Sequence, residues 1–113
     1  MLTIYHNPRC SKSRDSICIL EERKAEYKLV EYLVKPPTEK QLISLIKKLG
    51  ITAFELMRKN EDIFLEKYAG KKMSEAACIK AMLKYPILIE RPIIVKGNKA
   101  IIGRPPERVL KFL

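Results

Sequence analysis

The sequence predicts an α/β fold: a β-α-β unit, a block of helices, and a closing β-β-α unit. Three observations carry this. Two β-rich stretches near the start flank a segment of helix length. The middle of the chain repeats helix-start patterns ahead of apolar stripes with helical spacing. Near the end, two short β-rich runs are joined by Gly97-Asn98 and followed by a proline-opened segment. At 113 residues, 47% of them apolar, the chain suits one domain with a real core.

The elements follow in order. Leu2–Tyr5 reads as a strand, and His6-Asn7-Pro8-Arg9 as a loop with turn chemistry. A helix is expected from Cys10 or Ser11 to about Lys24, with Ile17, Cys18 and Leu20 facing inward. Tyr27–Tyr32 is a second strand. Because the connection is helical, the two strands should be parallel with a right-handed crossover. Thr38 with Gln41 forms a capping-box pattern, and Leu42, Leu45, Ile46 and Leu49 then make a helix stripe that Gly50 stops. Thr52 with Glu55 repeats the cap and opens a short helix through Met57. Ile63–Tyr68 is a further short helix. Ser74 to about Leu83 is helical and buries Ala77, Cys78, Ala81 and Met82. Ile93–Lys96 and Lys99–Ile102 form a hairpin about Gly97-Asn98. Pro105-Pro106 opens a last helix with Val109, Leu110 and Leu113 inward. Without the helical lobe at about 38–84, this is the order of a minimal thioredoxin-like fold.

Composition narrows the function. Twenty-three Lys and Arg face 13 Asp and Glu, a net charge of +10. That favours anionic partners, but the basic residues form no tail and no aromatic-interleaved run of the kind single-strand binders use, so nucleic acid is not the expected partner. No stretch approaches the roughly 20 apolar residues of a membrane helix, and Met1–Tyr5 lacks the regions of a signal peptide; the expected compartment is the cytosol. Three cysteines, Cys10, Cys18 and Cys78, make no CxxC pair. With a single histidine, no metal site is expected, nor any tightly bound cofactor. A reducing compartment with one chemically special thiol fits better.

Cys10 is that thiol. It sits at a predicted helix N-terminus, where first-turn amides lack partners and the helix dipole is positive. Arg9, Lys12 and Arg14 add full charges nearby. A free cysteine, with a pKa of about 8.5, is only a few per cent ionised at pH 7, and each of these features favours the thiolate. The same free amides, at Ser11, Lys12 and Ser13, can cradle an oxyanion beside the sulfur. Cys18 and Cys78 lie on predicted apolar helix faces and are expected to be packed and inert.

The segment His6-Asn-Pro-Arg-Cys10-Ser-Lys-Ser-Arg14 resembles the active-site loop of the glutaredoxin-dependent arsenate reductases, the ArsC family. Leu56-Met-Arg-Lys-Asn60, Glu90-Arg-Pro-Ile-Ile-Val95 and Gly103-Arg-Pro-Pro-Glu107 resemble further family segments in the expected order. The resemblance implies that Cys10 is the nucleophile. It implies that Arg58, Arg91 and Arg104 hold the oxyanion and stabilise its charge, and that His6, Ser13 and Arg14 tune the thiolate. It also places a cis-proline junction at Arg91-Pro92. Three guanidinium groups suit a tetrahedral dianion, because each offers paired donors.

The implied reaction is attack of the Cys10 thiolate on arsenate, with glutathione as co-substrate and glutaredoxin completing turnover. A chain without a local resolving cysteine must borrow an external thiol. The chain ends at Leu113, short of the C-terminal segment of the well-developed arsenate reductases. It resembles shorter relatives in this, which leaves reduction of another small substrate or glutathione-dependent thiol exchange as alternatives. A second alternative is a redox-responsive regulator of the Spx type that binds RNA polymerase. Those proteins use a CxxC switch, and Ser13 occupies its second position here.

Overall fold

The computed structural model describes all 113 residues. They form two compact units: Met1–Lys35 with Arg91–Leu113, and Pro36–Glu90.

The first unit holds a four-stranded sheet, β1 (Leu2–His6), β2 (Tyr27–Glu31), β3 (Ile93–Lys96) and β4 (Lys99–Ile102), in the order β2-β1-β3-β4. β1 and β2 are parallel, with Leu2 opposite Tyr27 and His6 opposite Glu31. β3 runs antiparallel to both β1 and β4. Helix α1 (Ser11–Glu22) makes the crossover from β1 to β2. This is the thioredoxin-like order expected from the sequence. Leu2, Ile4, Leu20, Ile94 and Val109 form the core, with Ile17, Tyr27 and Phe112 packed around them. Removing each such side chain from water stabilises the fold by about 1.5–3 kcal/mol.

α1 ends on a left-handed residue, Lys24, at φ 53°. The Ala25 amide reaches the Leu20 carbonyl and the Lys24 amide reaches Glu21, so the last turn is closed by a Schellman motif. The expected inner face of α1 needs correction. Its buried residues are Ser13, Ser16 and Leu20, while Cys18 is exposed. Each residue advances about 100° around a helix, so Cys18 lies about 200° from both Ser16 and Leu20.

Three other expectations change. His6 is the last residue of β1 and belongs to the sheet, not to the loop. The C-terminal segment Pro106–Phe112 is a 3₁₀-helix, and it turns Pro106 and Val109 inward. Leu110 and Leu113 are exposed, because a repeat of three residues per turn places them differently from an α-helix. Ala77 and Leu49 are half-buried.

The second unit contains α2 (Glu39–Leu49), α3 (Ala53–Leu56), α4 (Asp62–Lys67) and α5 (Glu75–Lys84), then a 3₁₀ turn at Pro86–Leu88. Both predicted capping boxes form: the Thr38 hydroxyl accepts from the Gln41 amide while the Gln41 side chain accepts from the Thr38 amide, and Thr52 and Glu55 do the same. Gly50 ends α2 in the left-handed conformation at φ 69°. Glu75 adds a contact no local pattern announces: its carboxylate accepts the Ala53 amide at 3.0 and 3.1 Å. Chain segments 56–58 and 88–90 pair across this unit. The Arg58 amide donates to the Leu88 carbonyl at 2.7 Å and the Glu90 amide to Leu56 at 2.9 Å.

Candidate active site

The loop between β1 and α1 is held by its own side chains. Asn7, buried at the end of β1, accepts the Arg9 amide on Oδ1 at 3.0 Å. Its carbonyl accepts the Cys10 amide at 3.0 Å, and its amide donates to the Ser13 hydroxyl at 3.2 Å. Arg14 donates from Nη1 to the Pro8 carbonyl at 2.9 Å. Asn7, Ser13 and Arg14 therefore fasten the loop onto the first turn of α1. Cys10 is left as the N-cap residue in extended conformation, with its sulfur half-buried.

Around that sulfur the first unit assembles positive groups. Arg104 donates from Nη2 to Cys10 Sγ at 3.2 Å and from Nε to the Arg91 carbonyl at 2.8 Å. Arg91 is buried, and its peptide bond to Pro92 is cis, as the resemblance implies. The Arg104–Pro105 bond is also cis. Burial pushes the Cys10 pKa up, but the Ser13 amide, the Arg104 charge, the Lys12 amide and the Arg91 side chain together outweigh it. The net result lies below the ordinary cysteine value. Neither amide closes a formal cap hydrogen bond on the sulfur; they act on it as nearby oriented dipoles. Cys78, fully buried, moves the other way: burial and then Glu75 raise its pKa, with Lys59 opposing. One thiol is activated and the other suppressed, as burial and charge dictate.

The remaining site residues divide. Ser11 and Lys12 are exposed in the first turn, with their side chains open to solvent. Ser13 is fully buried and acts through its amide, its hydroxyl being engaged by Asn7. His6 is only 6% exposed, and its Nδ1 lacks a hydrogen-bond partner. Burial lowers its pKa, Glu31 opposes this, and Arg14 lowers it further. It is therefore neutral at pH 7, which leaves it a hydrogen-bonding role and no charge to lend the thiolate. Arg58 belongs to the second unit. There it donates from Nε to Glu61 at 3.0 Å and from Nη1 to Glu90 at 2.6 Å. No three His, Cys, Asp or Glu side chains gather anywhere to hold a metal ion.

Sequence reasoning missed Asn7 and Gly103. Asn7 had a local signal, an Asx turn ahead of a helix start. Gly103 had none. It is buried, its amide donates to the Pro92 carbonyl at 2.9 Å, and a Cβ there would meet Pro92 Cγ and Ser16 Oγ at 2.8 Å and Ile94 Cδ1 at 2.9 Å. That close approach carries the chain past Pro92 and α1 so that Arg104, the next residue, reaches the sulfur.

Comparison with known proteins gives the family and the fold. The model of the ArsC family matches residues 5–112. Among curated proteins, the uncharacterized protein YfgD of Escherichia coli is 49% identical over 112 residues, covering 97% of this chain and 94% of its own. An arsenate reductase of Haemophilus influenzae is 41% identical over 112 residues, covering 97% of each. Among solved structures, an arsenate reductase from Vibrio cholerae superposes with a TM-score of 0.93 at 39% identity, covering 99% of this chain and 97% of that one.

Proposed function

Because this chain belongs to the ArsC family, we propose that Cys10 is the nucleophile that attacks arsenic in arsenate. The protein is an arsenate reductase-like thiol oxidoreductase. The single observation that carries the site assignment is the Arg104 guanidinium 3.2 Å from a sulfur at a helix N-terminus. Such a sulfur favours the thiolate more than an ordinary cysteine does and is surrounded by donors that also suit a tetrahedral oxyanion.

In the first step the thiolate forms a sulfur–arsenic bond and one arsenate oxygen leaves as water. Arg91, Arg104 and the amides of Ser11, Lys12 and Ser13 stabilise the charge on the remaining oxygens. Arg58 is assigned a third guanidinium through its family segment. Glutathione then displaces a second oxygen. Arsenic(V) becomes arsenic(III) by taking two electrons from two thiols, which leave as a disulfide. Those two sulfurs are the arsenic-bound glutathione and an attacking glutaredoxin thiolate: the electron pair of the broken sulfur–arsenic bond stays on arsenic, water then cleaves the remaining Cys10–arsenic bond to free arsenite, and further glutathione reduces the glutaredoxin–glutathione disulfide. External thiols are needed because Cys78 is buried and Cys18 sits two helical turns from Cys10 on the exposed side of α1. On this reading the reaction runs in the cytosol, where glutathione is kept reduced.

A coupled assay with arsenate, glutathione, glutaredoxin and NADPH tests the assignment. Wild-type protein consumes NADPH and Cys10→Ser does not; equal rates for the two would remove the arsenate reading.

A further inference from the structure

Asn7 sorts the backbone amides around Cys10 into those that are used up and those that stay open. It is 2% exposed and stands where β1 hands over to the loop. Its Oδ1 accepts the Arg9 amide at 3.0 Å, and its carbonyl accepts the Cys10 amide at 3.0 Å. Pro8, between them, has no amide hydrogen. Every amide of the loop up to the sulfur is thus silent. The next three, at Ser11, Lys12 and Ser13, open α1 and have no partner within the helix. A further bond ties the loop to that turn: the Asn7 amide donates to Ser13 Oγ at 3.2 Å. Ser13 is fully buried, so water does not compete for this bond. All of these residues belong to the sheet-bearing unit.

A helix-capping residue ordinarily fastens itself, because its side-chain oxygen accepts an amide of the first turn. Cys10 has the extended backbone of a cap, φ −93° and ψ 122°, but makes no side-chain cap bond. Cysteine is not among the side chains favoured there. Its place is held from outside, by the Asx turn that Asn7 closes over Pro8 and by the Asn7–Ser13 bond. A sulfur and first-turn amides that are not bound to one another remain available to a third group. We propose that Asn7 is a positioning residue for the chemistry at Cys10: it supplies the fastening that a capping side chain would give, and so keeps the sulfur and the amides of Ser11, Lys12 and Ser13 open to an oxyanion. The proposal rests on the reading above that Cys10 is the nucleophile.

Asn7→Ala and Asn7→Ser test it together. The two replacements leave nearly the same gap, but a serine hydroxyl still accepts the amide two residues on and a methyl does not. The readout is the rate of Cys10 alkylation by iodoacetamide against pH, resolved at the Cys10 peptide by mass spectrometry, which needs neither arsenate nor a reductant. Asn7→Ala is expected to move the half-point up by about 0.3–1 pH unit, the scale on which a helix terminus acts on a charge. Asn7→Ser is expected to recover at least half of that shift. The arsenate concentration that half-protects Cys10 should rise by about threefold in Asn7→Ala and by less in Asn7→Ser. A half-point in Asn7→Ala equal to that of wild type overturns the proposal, even where the denaturation midpoint falls, because Asn7 would then serve stability alone. Equal shifts in Asn7→Ala and Asn7→Ser also overturn it, since the acceptor would not matter. Where Asn7→Ala is not folded, Asn7→Gly, which likewise lacks the acceptor, takes its place. If arsenate protects no form, wild type included, the arsenate reading falls, and the alkylation profiles still decide the role of Asn7.

Discussion

Replacing Arg104 with alanine isolates the main full charge acting on Cys10. The guanidinium stands 3.2 Å from the sulfur. Even at the dielectric constant of water, opposite unit charges at that separation attract by about 1.3 kcal/mol, and one pKa unit corresponds to about 1.4 kcal/mol. Cys10 is half-buried, so the true attraction exceeds this floor. Arg104→Ala should therefore raise the Cys10 pKa by at least about one unit. The rate of Cys10 alkylation against pH, resolved by peptide so that Cys18 and Cys78 do not contribute, reads this as a shift of the half-point to higher pH. Turnover should shift the same way, falling at neutral pH and partly recovering in alkali. Arg104→Lys should recover only part of the effect, because lysine restores a charge but not the second hydrogen bond to the Arg91 carbonyl. An unchanged half-point in Arg104→Ala would refute the reasoning and leave the amides of Ser13 and Lys12 as the source of the thiolate.

Three further outcomes follow from particular contacts. His6 has its folded-state pKa lowered, chiefly by burial. The unfolded chain then binds more protons, so the stability tied to neutral His6 is full above about pH 6.5 and is lost as the pH falls through the lowered value; His6→Gln should flatten the acid limb of a urea-midpoint profile, and an identical limb would count against it. Gly103→Ala places a methyl 2.8–2.9 Å from Pro92, Ser16 and Ile94, which should destabilise the fold by about 1–3 kcal/mol in chemical denaturation and lower turnover by moving Arg104; adding Ser16→Gly should restore part of the loss. Lys24→Gly relieves a left-handed backbone at φ 53° and should stabilise the protein by about 0.5–1 kcal/mol, with Lys24→Ala giving no such gain.

Much of the fold was legible because its signals act within a few residues. The Thr38–Gln41 and Thr52–Glu55 boxes are hydrogen bonds between residues three apart. The hairpin follows from Gly97, which adopts φ 60°. The placement of Cys10 follows from a loop of turn formers that hands over to a helix, and free amides at that point are a property of any helix start. The errors were of a different kind. Cys18 lies in an apolar-looking run, but the face α1 buries carries Ser16, which stands against Gly103, and Ser13, whose hydroxyl accepts the Asn7 amide. Leu110 was misplaced because Pro106–Phe112 winds with a 3₁₀ repeat.

By itself, then, the sequence determined the order of strands and helices, the caps that bound them, and which cysteine stands at a helix N-terminus. Each depends on backbone chemistry within a turn or two of the residue concerned. Only the tertiary structure decided that Arg104 would reach the sulfur of Cys10, 94 residues away, and that Arg58 would be matched to Glu90, 32 residues away. Contacts at such separation exist because sheet register and core packing bring distant segments together, and no local pattern of residues encodes that meeting.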